Sequence, residues 1–366
     1  MNFTRKNNKY IILLILTLIV GFGLAGCGKS GSSGEKAGSE NGGEGDLSGE
    51  LNLFIWSEYM PDKILKQFEE ETGVKVNYNV YSSNEEMLAK ISAGAAGYDL
   101  SVASDYMVEI MKKQNLLEKV DKENITHFDH LDPEFLNQEF DPDNEYSIPY
   151  MWGNVVIAIN EDTVKKEVTS FEDLWDSEFK NSLVVLDDQR ILIGIGNKLQ
   201  GESMNATDPK VIQKSKELLM DLLPNIKAFD SDSPKTMLVN GEAKAGIVWG
   251  AEAYLAEKEN PSIKTVLPNE GSNIWMDNFV IPVGAPNKKN AEAFIDFILK
   301  PEISAQIIED FPYANPNRAA HELIDEDIMT HPAVYSNEEF LKKSDIFKDI
   351  EDAILEYDRA WSEIKQ

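Results

Sequence analysis

Residues 51–114 switch repeatedly between two hydrophobic periods, and this switching constrains the fold more than any other feature of the chain. Leu51-Asn52-Leu53-Phe54-Ile55-Trp56 is a run of apolar and β-favouring residues that predicts a strand. Pro61 then opens a helix with Ile64, Leu65 and Phe68 on one face, and Gly73 ends it. Val74, Val76, Tyr78 and Val80 alternate as a second strand. Ser83 and Glu86 form a capping-box pattern ahead of a helix carrying Met87, Leu88 and Ile91. A third strand over 98–103 and a helix over 106–114 follow. Side chains of period 2 and period 3.6 taken in turn imply a mostly parallel sheet covered by helices, hence an α/β fold.

The alternation pauses over 125–146, a stretch rich in Asp, Asn and Pro, and resumes at Ile148-Pro149-Tyr150-Met151-Trp152-Gly153. Further strands are predicted over 155–159, 183–186, 245–249 and 275–282. Helices are predicted over 211–222, over 291–299 where Pro301 stops it, and over 302–309. No repeat of solenoid period is present. With 366 residues there is room for two domains. The pattern predicts two α/β lobes, with the chain crossing between them near 147–153 and 275–283 and a ligand cleft where they meet.

The N-terminus gives an address. Arg5, Lys6 and Lys9 precede an apolar run over 11–20, and Leu24-Ala25-Gly26-Cys27 follows, which looks like a bacterial lipobox. The apolar run is too short for a comfortable membrane span. Residues 1–26 are therefore expected to be a lipoprotein signal peptide and Cys27 the lipidated first residue of the mature chain, held in the bilayer. The Gly/Ser/Glu-rich stretch up to residue 50 reads as a flexible tether to a body beginning near Leu51. The expected location is extracytoplasmic, anchored to the cell membrane. As the only cysteine, Cys27 excludes internal disulfides and multi-thiolate metal sites.

A formal charge of −29 repels phosphate backbones, so nucleic acid is excluded as a partner and cations are favoured. The chain has no P-loop, dinucleotide fingerprint, H-E-x-x-H or G-x-S-x-G, so neither a cofactor nor enzymatic machinery is expected. His127 and His130 lie near Asp129 and Asp132, but in a polar loop with too few ligands for zinc. Asp141, Asp143 and Glu145 resemble a calcium loop without the glycine and closing glutamate of an EF-hand. What stands out is aromatic residues set beside acids at predicted strand ends: Trp56-Ser57-Glu58-Tyr59, Ser104-Asp105-Tyr106, Asp187-Asp188, Trp249, and Trp275 with Asp277. Tyr313 lies in a Pro/Asn loop. Carboxyl ends of strands face the ligand crevice of α/β sheets. Aromatic faces attract cations at roughly 0.5–2 kcal/mol per contact, and a carboxylate beside them anchors an ammonium.

At these residues the chain resembles the substrate-binding proteins of bacterial polyamine ABC transporters, the spermidine/putrescine-binding family. The resemblance runs over nearly all of 50–366. It is carried by Trp56-Ser57-Glu58-Tyr59-Met60-Pro61, Ile148-Pro149-Tyr150-Met151-Trp152-Gly153, Leu186-Asp187-Asp188, Gly246-Ile247-Val248-Trp249 and Trp275-Met276-Asp277. It implies a two-lobed periplasmic-binding-protein fold of type II, with 51–151 plus about 277–321 as one lobe and about 152–276 plus 322–366 as the other. Trp56, Ser57, Glu58, Tyr59, Ser104, Tyr106, Asp188, Trp249, Trp275, Asp277 and Tyr313 would bind the ligand. Glu58, Asp188 and Asp277 would pair with amine nitrogens, and the rings would sandwich the methylene chain. The implied partners are a polyamine and the permease subunits in the membrane with their cytoplasmic ATPase; nothing in the sequence points to a homo-oligomer, and a monomer is the default expectation. Ile191 stands where the spermidine-binding pattern has a glutamate, and Lys343 falls near one of its glutamines, which leaves putrescine against spermidine open. The alternative within the same fold is a receptor for another small cationic metabolite, an amino acid or Fe(III). A hydrolase using Asp187 and Asp188 is disfavoured because neighbours on a strand face opposite ways, and a purely structural lipoprotein has no use for such a cleft.

Overall fold

The computed structural model describes residues 47–57, 59–94 and 97–366. The expected signal peptide, Cys27 and most of the tether lie outside the described residues, as does Glu58.

Strand β1 (Glu50–Trp56) is followed by helix α1 (Asp62–Thr72), which buries Ile64, Leu65 and Phe68. Gly73 ends α1 with φ 72°, a left-handed conformation that glycine adopts without strain. Strand β2 (Lys75–Tyr81) leads to α2 (Asn84–Ser92). Ser83 Oγ accepts from Glu86 N–H as the capping box requires, while the Glu86 carboxylate reaches back to Ser82 N–H, one residue beyond the expected partner. β3 (Leu100–Ser104) runs straight into α3 (Asp105–Lys113), and a two-residue strand, β4 (Leu117–Glu118), follows. The pause at 125–146 contains only short 3₁₀ turns.

The two predicted pieces at 148–153 and 155–159 are one fully buried strand, β5 (Ser147–Asn160). Then come β6 (Leu183–Val185), α4 (Gln189–Lys198), α5 (Pro209–Leu222), β7 (Ile226–Phe229), α6 (Pro234–Val239), β8 (Ala245–Trp249), α7 (Gly250–Glu259) and β9 (Ile263–Val266). β10 (Asn273–Pro282) returns the chain to α8 (Lys288–Ile298) and α9 (Pro301–Asp310). The C-terminal stretch forms α10 (Glu326–Thr330), α11 (Glu338–Lys343), β11 (Asp345–Ile346) and α12 (Ile354–Ile364). Among the described residues no helix is long and apolar enough to cross a membrane.

The strand order is β2-β1-β3-β10-β5-β8-β6-β7, with β4 and β11 on β10 and β9 on β5. Two parallel sets, β2-β1-β3 and β7-β6-β8, are joined by β10 and β5, which pair antiparallel with each other and with the sets they flank. The sheet is thus mixed, not mostly parallel, because the strands that link its halves enter from the opposite direction. β5 pairs with β10 through Ser147–Asn154 and with β8 and β9 from 155 onward, so the one strand serves both halves. Alternation sends Leu51, Leu53, Ile55, Val156 and Ala158 to one face of the sheet and Phe54, Val155, Ile157 and Ile159 to the other, each face carrying its own core layer.

The entry to β5 is fixed by Asp141. Its Oδ2 accepts from Tyr146 N–H, Ser147 N–H and Ser147 Oγ at 2.8–2.9 Å, and its Oδ1 lies 3.0 Å from Lys112 Nζ. The calcium-like spacing of Asp141, Asp143 and Glu145 therefore builds a turn in which Asp141 is fully occupied by the protein. His127 is likewise engaged, with Nδ1 2.8 Å from Asp296 Oδ1. Asp141→Ala leaves three donors unmet at the start of the linking strand. It should lower unfolding stability by about 3 kcal/mol in a denaturant titration, whereas a loss under 1 kcal/mol would show that the turn does not anchor β5.

Candidate functional site

Six parallel strands converge on one cavity of about 690 Å³. From one half it receives Trp56 and Ser57 at the end of β1, Ser82–Glu85 after β2, and Ser104–Tyr106 after β3. From the other come Asp187 and Asp188 after β6, Phe229–Asp232 at and after β7, and Trp249 at the end of β8. Trp275 and Asp277 enter from β10 between the two sets, and Tyr313 from the segment after α9. Every ligand-binding residue expected from the sequence lines this cavity except Glu58, which lies outside the described residues.

Asp277 sits where the pairing of β10 with β5 changes register. Asp277 faces Met151 and Asn278 faces Pro149, leaving Tyr150 as the inserted residue. On its other side Asp277 pairs with Ser104 of β3. Ser104 Oγ donates to Asp277 Oδ1 at 2.6 Å and Tyr59 OH to Oδ2 at 2.9 Å. Asn84 Nδ2 donates in turn to Ser104 Oγ, and Tyr150 OH to the Tyr59 carbonyl, so both donors are held in place. A carboxylate accepts about four hydrogen bonds, and Asp277 keeps capacity on both oxygens.

Rings surround this carboxylate. Trp249 and Trp275 meet edge to face with centroids 6.1 Å apart, as do Trp275 and Tyr313 at 5.2 Å, while Tyr59 and Tyr313 are tilted at 57° with centroids 5.5 Å apart. Trp275 depends on its cross-strand partner Gly153, since a Cβ there would stand 2.5 Å from Trp275 Cζ2. A rigid indole cannot yield that much in place, so glycine is required for the ring to lie against β5.

The described lining holds nine carboxylates and no lysine, arginine or histidine. Several were not anticipated from the sequence: Glu85 and Glu252 in first turns of helices, Asp230 and Asp232 after the unforeseen β7, and Asp358 on α12. A strand followed at once by an acid-starting helix was a usable signal for Glu85 and Glu252. Asp187 and Asp188 lie beyond the end of β6 and are not strand neighbours. Asp188 caps α4, accepting from Ile191 N–H at 2.9 Å, so Ile191 lines the cavity from the first turn of α4. Lys343, by contrast, is not a lining residue; on α11 it pairs with Glu339 at 2.9 Å. The expectation that it bears on ligand choice is corrected on that ground.

Burial without a basic partner pushes the Asp277 carboxyl up to about 6, against the hydrogen bonds from Ser104 and Tyr59. Burial, with the charge of Asp277 adding to it, pushes Asp105 up to about 8. Folded-state values above the unfolded ones mean that the stability these groups contribute is complete below about pH 4. It is lost as the pH rises through 6 and then 8. The ligand-free protein should therefore lose thermal midpoint between pH 5 and pH 8, and Asp277→Asn should reduce that slope; equal slopes in the two proteins would refute the assignment. Gly153→Ala should leave the protein folded by circular dichroism but change the intrinsic fluorescence and weaken any ligand that stacks on Trp275. An unaltered spectrum and affinity would show that the indole does not rest on β5.

Comparison with known proteins agrees with this architecture. The family described as bacterial extracellular solute-binding protein matches residues 63–336. The spermidine/putrescine-binding periplasmic protein of Escherichia coli (strain K12) is 39% identical over 322 residues, covering 87% of this chain and 92% of that protein. The solved structure of the spermidine/putrescine ABC transporter substrate-binding protein PotD from Streptococcus pneumoniae, in complex with calcium and HEPES, has a TM-score of 0.71 at 36% identity. It covers 85% of this chain and 99% of that one. The TpPotD lipoprotein of Treponema pallidum has a TM-score of 0.77 at 29% identity, covering 86% and 99%. A cleft fed by two parallel strand sets, joined by shared strands and matched to such proteins along most of its length, is that of a binding protein and not of an enzyme: the chain belongs to the bacterial extracellular solute-binding protein family.

Proposed function

We propose that this chain is the extracytoplasmic receptor of an ABC importer, that it takes up a polyamine of the putrescine or spermidine class in the cavity, and that it delivers it to the membrane permease. The observation that carries this reading is the lining itself: among the described residues, nine carboxylates, no basic side chain, and edge-to-face rings beside Asp277. An amine nitrogen would take up the unused acceptor capacity of Asp277, and the rings would cover the methylenes between nitrogens. Glu58, Asp188 and Asp277 are the acids assigned to the nitrogens. Trp56, Ser57, Tyr59, Ser104, Tyr106, Trp249, Trp275 and Tyr313 make up the rest of the site. Relatives named for spermidine and putrescine support the ligand class. Ile191, apolar and 1% exposed at the cavity wall, favours a diamine by withholding a carboxylate from a third nitrogen.

One lobe would comprise 51–151 with 277–321 and the other 152–276 with 322–366, working as a monomer tethered by lipid at Cys27. A relative named as a lipoprotein favours the anchor. Closure of the lobes over the amine would present the surface that the permease reads.

Calorimetric titration of the protein in amine-free buffer tests the reading with putrescine, spermidine and spermine. At 100 times the dissociation constant a ligand should add roughly 2.7 kcal/mol to unfolding stability. Asp277→Asn should cost roughly 2–5 kcal/mol of binding by removing one partner of a buried charge pair, and Trp275→Ala at least tenfold in affinity. Because a bound ammonium favours the ionised form of Asp277, affinity should fall as the pH drops below about 6. Heat with none of the three amines, or wild-type affinity in both variants, would overturn the assignment.

A further inference from the structure

The carboxylates that line the cavity differ in their access to water, and we take the buried and the exposed ones to mark its inner and outer ends. At the inner end Asp277 is 5% exposed. At the outer end the side chain of Asp187 is 45% exposed, and the ammonium of Lys365 lies 2.9 Å from its Oδ1. Lys365 follows the last residue of α12, and its Nζ stands 3.9 Å from the centroid of the Phe229 ring and 5.3 Å from that of Trp361. Those two rings meet edge to face at 85° with centroids 5.7 Å apart. Asp187, Phe229 and Trp361 all line the cavity. The outer end therefore repeats the chemistry of the inner one, a carboxylate beside two perpendicular rings, with one difference: a primary ammonium already sits in it, supplied by the chain.

We propose that Asp187, Phe229 and Trp361 form an outer ammonium subsite, and that Lys365 fills it as a tethered competitor of the far amine of a long polyamine. The inference rests on the polyamine reading above and adds to it a determinant of ligand length. A short diamine satisfied by the inner acids leaves Lys365 in place. A tri- or tetra-amine must displace it to gain a carboxylate and two rings for its last nitrogen. Displacement is open to Lys365 because its side chain is 33% exposed and can turn to water while its backbone stays at the end of α12. The same cation thus screens the outer acid when no long amine is present and opposes its use when one arrives.

The test is calorimetric titration of the full chain, of Lys365→Met and of Lys365→Arg with putrescine and with spermine. Methionine keeps an apolar stem without the charge, and arginine keeps the charge. The ratio of spermine to putrescine affinity should rise at least tenfold in Lys365→Met and stay near the wild-type value in Lys365→Arg. Adding Phe229→Ala to Lys365→Met should bring the ratio back down. A ratio within twofold of wild type in Lys365→Met, or an equal rise in both single variants, would overturn the proposal. Should no protein bind either amine, wild type included, the receptor reading itself fails and this inference falls with it; amine binding with unchanged ratios overturns the inference alone.

Discussion

Where a strand ends and a helix begins, backbone N–H groups and the positive end of the helix dipole converge, a place suited to anions. The cavity is ringed by such places, and the rest of the site depends on how the sequence reverses their preference. Each of the four helices whose first turns line it carries a carboxylate there: Glu85 in α2, Asp105 in α3, Asp188 capping α4 and Glu252 in α7. These acids meet the helix ends from within. Asp277 is then added on β10 beside the head of α3, where the hydroxyls of Ser104 and Tyr59 donate to it and no basic side chain of the described lining meets its charge. The cavity begins as four sites for anions and ends as one for a cation.

That arrangement needs strands that belong to both halves. β5 gives one stretch of its length to β10 and the next to β8 and β9, and β10 carries Asp277 and Trp275 at the point where the two parallel sets meet. The register shift at Tyr150 lets Asp277 face Ser104 while Tyr150 turns its hydroxyl to the Tyr59 backbone. The binding carboxylate and the junction of the halves are therefore parts of one piece of backbone. Asp105 adds to the coupling, since its carboxylate accepts from Met276 N–H of β10 as well as from Tyr106 N–H of its own helix.

Residues 51–114 were legible because periodicity and punctuation agree there: alternation in β2, a single apolar face on α1, a glycine that can take positive φ, a serine cap on α2. The site aromatics were legible from their place at strand ends. α4 was not, because Ile191-Leu192-Ile193-Gly194-Ile195-Gly196 has the content of a buried strand and two residues of low helix propensity. It is helical because Asp188 caps it and because its glycines let α5 approach: a Cβ on Gly196 would stand 2.7 Å from Ser215 Cβ. β7 and β9, four residues each and only partly buried, carry too little pattern to read. With β7 unseen, Asp230 and Asp232 had no strand end to mark them, and Asp358 reaches the cavity from a helix near the other end of the chain. The parallel sheet was over-read for a related reason, since sequence order does not disclose that β5 and β10 run against their neighbours.

Ser57 at the end of β1 donates to Asp232, beyond the end of β7, at 2.9 Å, so the two parallel sets touch directly across the cavity. Both contribute walls, and neither alone encloses the space. If the two sets close over a bound molecule, its exit would wait on their parting, and its residence time would follow the frequency of that opening more than the strength of any one contact. Two ligands of unequal affinity would leave at similar rates wherever opening is the slow step, and the difference between them would appear in how readily each one draws the walls together on entry.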